Sequence, residues 1–325
     1  MQQTYAQIKE QYGKGTIKSQ NLEGVVFDSL YCGDRARILD ACHDAACIRC
    51  EVVEAATGVD MSLIKQSRLD NGSLTADGSI LTGIENKIGA AMIPMGIAGP
   101  VRINGQYAKG DIYLPLATNE AALVAGVQRG VKAINLSGGI STLVTFDGMT
   151  RAPLIEAPDI YAARKIIEDL QDPALLAQLG KAVKDPFVRL ENIECHQLGT
   201  KVFLRMVCKT GDAMGMNGVT KAAADITRAI LIKYPDFRLL TISSNLCTDK
   251  KNSHINILQG RGKSVQAEVF VPDEVLAKVF KKGVTSRSVE KVVFHKCYLG
   301  SALSGTISGF NVNAANPIAA FFAAT

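Results

Sequence analysis

Thr248-Asp249-Lys250-Lys251 sets two ammonium groups beside a carboxylate, just after the polar triplet Ser243-Ser244-Asn245. A fixed ammonium polarises a carbonyl and stabilises the oxyanion that develops when it is attacked. A solvated charged turn uses the same residue types, so the cluster gains meaning if Arg261, Lys263 and Lys296 converge on it. A second group, Asp212-Ala213-Met214-Gly215-Met216-Asn217, falls where a strand gives way to a helix. Backbone N–H groups at such a helix start bind phosphate or pyrophosphate. The run is neither G-x-G-x-x-G nor a P-loop, and an ordinary turn would use the same glycines. Glu120, in Ala117-Thr118-Asn119-Glu120, is a third candidate. As a proton donor it would need burial or an acidic neighbour, whereas a charge in the first turn of a helix needs neither.

The elements that position these groups follow from periodicity and punctuation. Residues 1 to about 80 read as mainly helical, with a continuous amphipathic helix over Asp40 to Ala56 and a linker at Asn71, Gly72, Ser73 and Gly78. From Gly83 to Leu116, glycines and prolines break short apolar runs, as in loops between strands. Asn119 is placed to cap a helix from Glu120 to Ile134, which Ser137-Gly138-Gly139 would stop. Residues 153–242 read as a separate unit. It comprises a helix over Pro158 to Leu170, a second helical stretch, a strand over Lys201 to Cys208, a turn over Gly211 to Gly218, a helix ending near Tyr234, and a strand over Arg238 to Ile242. The remainder returns to strands and then to an apolar helix.

Composition excludes several classes. Of 325 residues, 47% are hydrophobic and 21% charged, ordinary for a globular chain. The formal charge of +5 suits a small anionic ligand, but no basic run speaks for nucleic acid, and Trp is absent. No stretch reaches the roughly 18 uninterrupted apolar residues of a membrane span. Residues 1–15 lack the apolar core of a secretory signal. Eight cysteines in this length are no disulfide scaffold, so a cytoplasmic setting is expected. Cys42, His43, Cys47 and Cys50 are close enough to suggest a metal site, but they lie within the helix over Asp40 to Ala56 and lack the turn of a Cys-x-x-Cys knuckle. No metal is expected.

Taken together, the motifs are more specific than any one of them. Glu85-Asn86-Lys87-Ile88-Gly89, running on through Pro94-Met95-Gly96-Ile97-Ala98-Gly99-Pro100, resembles the signature loop of the 3-hydroxy-3-methylglutaryl-CoA reductase (HMG-CoA reductase) family. The likeness continues through Ala117 to Glu120, Asp147-Gly148-Met149-Thr150-Arg151, Asp212 to Asn217, Thr248 to Lys251, Gly260-Arg261-Gly262-Lys263-Ser264 and Leu299 to Asn316. It implies an α+β fold. The expected parts are a helical N-terminal region (1–82), a large substrate domain (83–152 and 255–325, C-terminally incomplete), an inserted ferredoxin-like NADPH-binding domain (153–242) and a connecting catalytic loop (243–254).

The same resemblance implies roles. Lys250 would hold the thioester oxygen and then the hemithioacetal and aldehyde oxygens, with Glu120 as the proton-donating carboxyl. Arg151, Ser243, Asp249, Lys251, Lys296 and Asn316 would surround the hydroxymethylglutaryl group, and Arg129 would meet coenzyme A. Asp212 to Asn217 would cradle NADPH. The implied reaction carries HMG-CoA through mevaldehyde to mevalonate and coenzyme A by two hydride transfers, in a homodimer or higher homo-oligomer. The family's Gly-Gln-Asp motif, a later glycine-rich loop and a near-terminal histidine find no counterpart here. A site incomplete within this chain is therefore expected, with a non-catalytic binding relative or an inactive fragment as the alternative. Two further departures are Asn311-Val312-Asn313-Ala314-Ala315-Asn316, where the family has an imidazole at the third position, and Asp185-Pro186-Phe187, where it has Ser-Arg-Phe.

Overall fold

Apolar residues spaced three and four apart build the first of two units, residues 1–94. The computed structural model describes residues 3–68, 72–75 and 79–325. Helix α1 (Tyr5–Gly13) starts at Thr4, whose hydroxyl accepts from the Gln7 amide while the Gln7 side chain accepts from the Thr4 amide. There follow a 3₁₀ turn (Ser19–Asn21), α2 (Leu22–Tyr31), a second 3₁₀ turn (Arg35–Arg37), α3 (Ile38–Thr57), α4 (Ser62–Gln66) and a two-residue ladder of β1 (Ser73–Leu74) with β2 (Ile80–Leu81). Ile8, Leu22, Val26, Phe27, Ala41, Ala45 and Ile48 form the core. Beside it Arg49, 3% exposed, grips Glu23 at 2.7 and 2.9 Å and donates to the carbonyls of Ser19 and Lys87. The helix over the Cys42–Cys50 cluster is continuous, as its periodicity implies. Of the expected linker, Ser73 lies in β1, while Asn71 and Gly78 fall outside the described residues.

The second unit, residues 95–325, is built on an eight-stranded sheet. Its elements are β3 (Met95–Gly105), β4 (Lys109–Ala117), α5 (Leu123–Leu136), β5 (Ile140–Arg151), β6 (Leu154–Glu156), α6 (Ile160–Asp169), α7 (Pro173–Gly180), β7 (Arg189–Leu198), β8 (Lys201–Lys209), α8 (Met216–Lys233) and β9 (Arg238–Thr241). Then come α9 (His254–Gln259), β10 (Gly262–Glu268), α10 (Asp273–Val279), α11 (Ser286–Val292), a π-helical stretch (Val293–Gly300), α12 (Ser301–Leu303) and α13 (Ala315–Ala324). From β6 to β9 the order is β-α-α-β-β-α-β, a β-α-β-β-α-β unit with α7 added after its first helix, and the strands lie β7-β8-β6-β9, all antiparallel. This is the ferredoxin-like split βαβ arrangement within an α+β fold. Ile166, Leu204, Met206 and Ile226 are fully buried between its sheet and helices.

Strand β5 joins two neighbourhoods. Its first part pairs with β3 and β10, and its last three residues, Met149 to Arg151, pair with Cys208 to Met206 of β8. One sequence expectation needs correction. Helix α5 begins at Leu123 rather than Glu120, and its cap is Ala122 in the left-handed conformation, not Asn119. The Thr118 hydroxyl accepts from the Glu120 amide at 2.9 Å, a local turn that competes with helix start.

Candidate active site

The end of β5 and the segment after β9 are stitched together. Arg151 donates through Nη1 to Ser243 Oγ at 2.9 Å and to Cys247 Sγ at 3.7 Å, and through Nε to Thr220 Oγ1 on α8 at 3.0 Å. Buried Thr150 donates to the Cys247 carbonyl at 3.0 Å, and Ser244 donates twice to the Ala152 carbonyl, at 2.9 and 2.8 Å. Burial pushes the Cys247 thiol up, but the Ser243 hydroxyl, backbone groups of Asp249 and Ala152, and the Arg151 charge outweigh it. The thiol therefore lies below its ordinary value. Asn245, Thr248 and Lys250 all take positive φ (68°, 51° and 57°), so the turn crowds three non-glycine residues into a sparsely populated conformation. Local bonds hold it: Thr248 N to Asn245 O, the Thr248 hydroxyl to Asn256 Oδ1, and Asn256 Nδ2 to Lys251 O.

The surrounding charges are sorted rather than pooled. Arg261 grips Asp249 at 2.6 Å and also reaches Met216 Sδ at 3.3 Å, linking the Thr248–Lys251 turn to the head of α8. Lys263 binds Asp147 at 2.7 Å and the Gly211 carbonyl at 3.1 Å. Lys251 folds back onto the Asp249 carbonyl at 3.2 Å. Lys250 is exposed and forms no hydrogen bond or ion pair among the described residues, and neither does Lys296 in the π-helical stretch. Of the three cations, Arg261 is the one bonded to the Thr248–Lys251 cluster among the described residues, through Asp249, while Lys263 goes instead to Asp147 and Gly211.

Asp212, Ala213 and Met214 form the exposed loop before α8, and Asn217 is exposed in its first turn. The Thr210 hydroxyl closes the loop onto the Ala213 carbonyl at 2.7 Å. Gly215 caps the helix at φ 74° without a side-chain bond, and a Cβ there would lie 2.3 Å from the Thr210 methyl. Only glycine fits, and among the described residues no side chain caps the start of α8, which suits an anion. Asp185 sits beside this turn: a Cβ on Gly218 would be 3.0 Å from its carboxylate.

Glu120 is exposed and accepts from Asn316 Nδ2 at 2.6 Å, so α13 and the loop before α5 bring these two expected residues together. No hydrogen bond joins either to Lys250 among the described residues. Arg129 on α5 lies over the Phe280 ring, 5.9 Å from its centroid, and lines a cavity of about 610 Å³ with Gln128, Lys132 and Asn135. Cys247, Thr220 and Asn256 were not foreseen. The signal for Cys247 was its place between Ser243 and the lysines, but its contacts lie in β5.

Residues 45–325 match the sequence profile of the family described as hydroxymethylglutaryl-coenzyme A reductase. The chain is 44% identical over 284 residues to the 3-hydroxy-3-methylglutaryl-coenzyme A reductase of Aeropyrum pernix, covering 87% of this chain and 66% of that protein. To the enzyme of the same name from Pyrococcus abyssi it is 41% identical over 279 residues, covering 86% of this chain and 66% of that protein. It thus spans just under two thirds of these archaeal relatives. A solved 3-hydroxy-3-methylglutaryl-coenzyme A reductase from Streptococcus pneumoniae shares the fold, with a TM-score of 0.50, 20% identity, and coverage of 78% of this chain and 56% of that one.

Proposed function

The chain belongs to the hydroxymethylglutaryl-coenzyme A reductase family, and on that premise we propose that it carries most of the site reducing HMG-CoA to mevalonate and coenzyme A. The observation that carries this reading is the assembly of Arg151, Ser243 and Thr220 with a strained, stitched turn presenting Lys250. Arg151 and Ser243 would hold the carboxylate end of the substrate, with Asp249, Lys251, Lys296 and Asn316 around it. Three positive charges beside a hydroxyl donor suit a carboxylate. Lys250 would stabilise the negative charge that appears on the former carbonyl oxygen at each reduction. Glu120, oriented by Asn316, would give that oxygen its proton. As the C–S bond of the hemithioacetal then breaks, its hydroxyl proton is released, leaving an aldehyde for the second hydride and a thiolate that takes up a proton.

NADPH would sit at the loop before α8, where Asp212 to Asn217 offer uncapped amides, and each of two NADPH molecules bound in turn would supply one hydride. Residues 153–242 would be its domain, 83–152 and 255–325 the substrate domain, and 243–254 the loop between them. Arg129 and Lys132 would meet the phosphates of coenzyme A, since a fixed guanidinium suits phosphate. A cytoplasmic homodimer belongs to the same proposal. Its reducing setting is supported by eight free cysteines, while the pairing rests on the family resemblance.

A second reading, ligand binding without turnover, is favoured by the exposure of Glu120 and Lys250 and the absence of a bond between them among the described residues. The test is oxidation of NADPH, and of NADH in parallel, by the purified chain with HMG-CoA. Turnover that falls roughly a hundred- to a thousandfold in Lys250→Ala is expected. No turnover, with coenzyme A binding retained by calorimetry, would instead favour the second reading or a site left incomplete within this chain.

A further inference from the structure

Arg205 lies in the middle of β8 with no solvent exposure. Its neighbours Leu204 and Met206 face the helix layer, so strand alternation turns Arg205 to the opposite face. There Nη1 binds Glu194, its register partner on β7, at 2.6 Å, while Nε has no acceptor among the described residues. A buried ion pair of this kind is no better for stability than an apolar pair of similar volume. Fold stability alone thus leaves the arginine unexplained.

The remaining bond supplies a reason. Arg205 Nη2 donates at 2.6 Å to the carbonyl of Gly260, 55 residues away in sequence. Gly260 ends α9 at φ 76°, and a Cβ there would lie 2.5 Å from the Phe146 ring, so its carbonyl is held in a conformation only glycine adopts. The next residue is Arg261, whose single guanidinium nitrogen reaches both Asp249 and Met216 Sδ.

We propose that Arg205 is a positioning residue: by fixing the Gly260 carbonyl it aims Arg261 so that the Thr248–Lys251 turn and the start of α8 are held in one register. This rests on the reading of that turn as the one that holds the reacting carbonyl, but the mechanical link is testable without turnover.

The experiment is hydrogen exchange by mass spectrometry on the purified 325-residue chain as wild type, Arg205→Met and the double variant Arg205→Met/Glu194→Gln, which leaves no lone buried charge. Exchange over residues 245–251 should rise about tenfold in both variants, while β7 and β8 stay protected as in wild type. Arg261→Met should reproduce the effect, and Arg261→Lys should restore part of it. A turn that exchanges at the wild-type rate, or a loss of protection spread evenly over β7 and β8, overturns the proposal. The double variant decides this even if the single one fails to fold. If wild type turns over, kcat should fall in Arg205→Met with little change in KM for NADPH; unchanged kcat would also overturn it. An Arg205-dependent turn in a chain without turnover would count against the reductase reading alone.

Discussion

Between Leu154 and Thr241 the second unit buries fifteen apolar residues in one cluster, among them Ile155, Ile166, Leu204, Met206 and Ile226, each fully enclosed. The flanking part, β3 to β5 with β10 to α13, centres on a cluster of four: Ala98, Leu116, Leu123 and Ala320. It leaves Met95, Ile97 and Tyr113 more than half exposed, and Leu303 at 92%. The two parts share strand β5, yet they owe their order to different things. In the ferredoxin-like part, helices and strands of one continuous stretch cover one another. In the flanking part, α13 reaches back nearly 200 residues to β4 and to Glu120 for what cover it gives. The expected nucleotide loop is therefore rooted in a self-sufficient core. Among the other expected site residues, Glu120 and Asn316 hang from thinly packed elements, whereas Arg151 and Ser243 are tied to the strand and helix of the well-packed part.

Native-state hydrogen exchange should expose this contrast most strongly. Amides of β8 and α8 should open only with global unfolding, whereas residues 301–324 should exchange at rates nearer those of an unstructured chain. Equal protection in both parts would break the comparison. Next in size, Ile226→Ala should cost about 3–4 kcal/mol by denaturant titration, through lost burial and the cavity left behind. Leu303→Ala, at a site already in water, should change stability by less than about 0.5 kcal/mol.

The smallest effect lies on the rim of the ferredoxin-like part. Bonding to Lys165, helped by Tyr234, holds the Asp169 carboxyl below the usual carboxylate range. Because its folded-state value is depressed, the group contributes stability above about pH 4 and loses it as the pH falls through the folded value. Asp169→Asn should flatten that acid limb by under about 1 kcal/mol, since the pair is partly exposed. An unchanged limb would remove Asp169 from the account.

Local pattern made much of this legible. The helix over Asp40 to Ala56 is Ile38–Thr57, and the strand over Lys201 to Cys208 is Lys201–Lys209, because periodicity and flanking glycines are properties of the segment itself. The strand–turn–helix at Asp212 to Asn217 was readable for the same reason. The sequence points to an Asn119 cap because two residues with capping side chains compete over one turn, and Thr118 takes the Glu120 amide. The partners of Cys247 and Arg205 escaped altogether. One is an arginine and the other a carbonyl, each joining a strand to a loop or helix end far away in sequence, which no window of a dozen residues encodes.

The turn from Asn245 to Lys250 has a consequence of its own. A left-handed conformation costs a residue with a Cβ about 1–2 kcal/mol relative to glycine. Glycine in place of Lys250 would relax the backbone and give a sturdier chain, while deleting the ammonium that faces solvent there. Durability and usefulness are opposed at this one residue, so a search for thermally hardened variants of the chain should be steered away from the stretch where relief comes most easily.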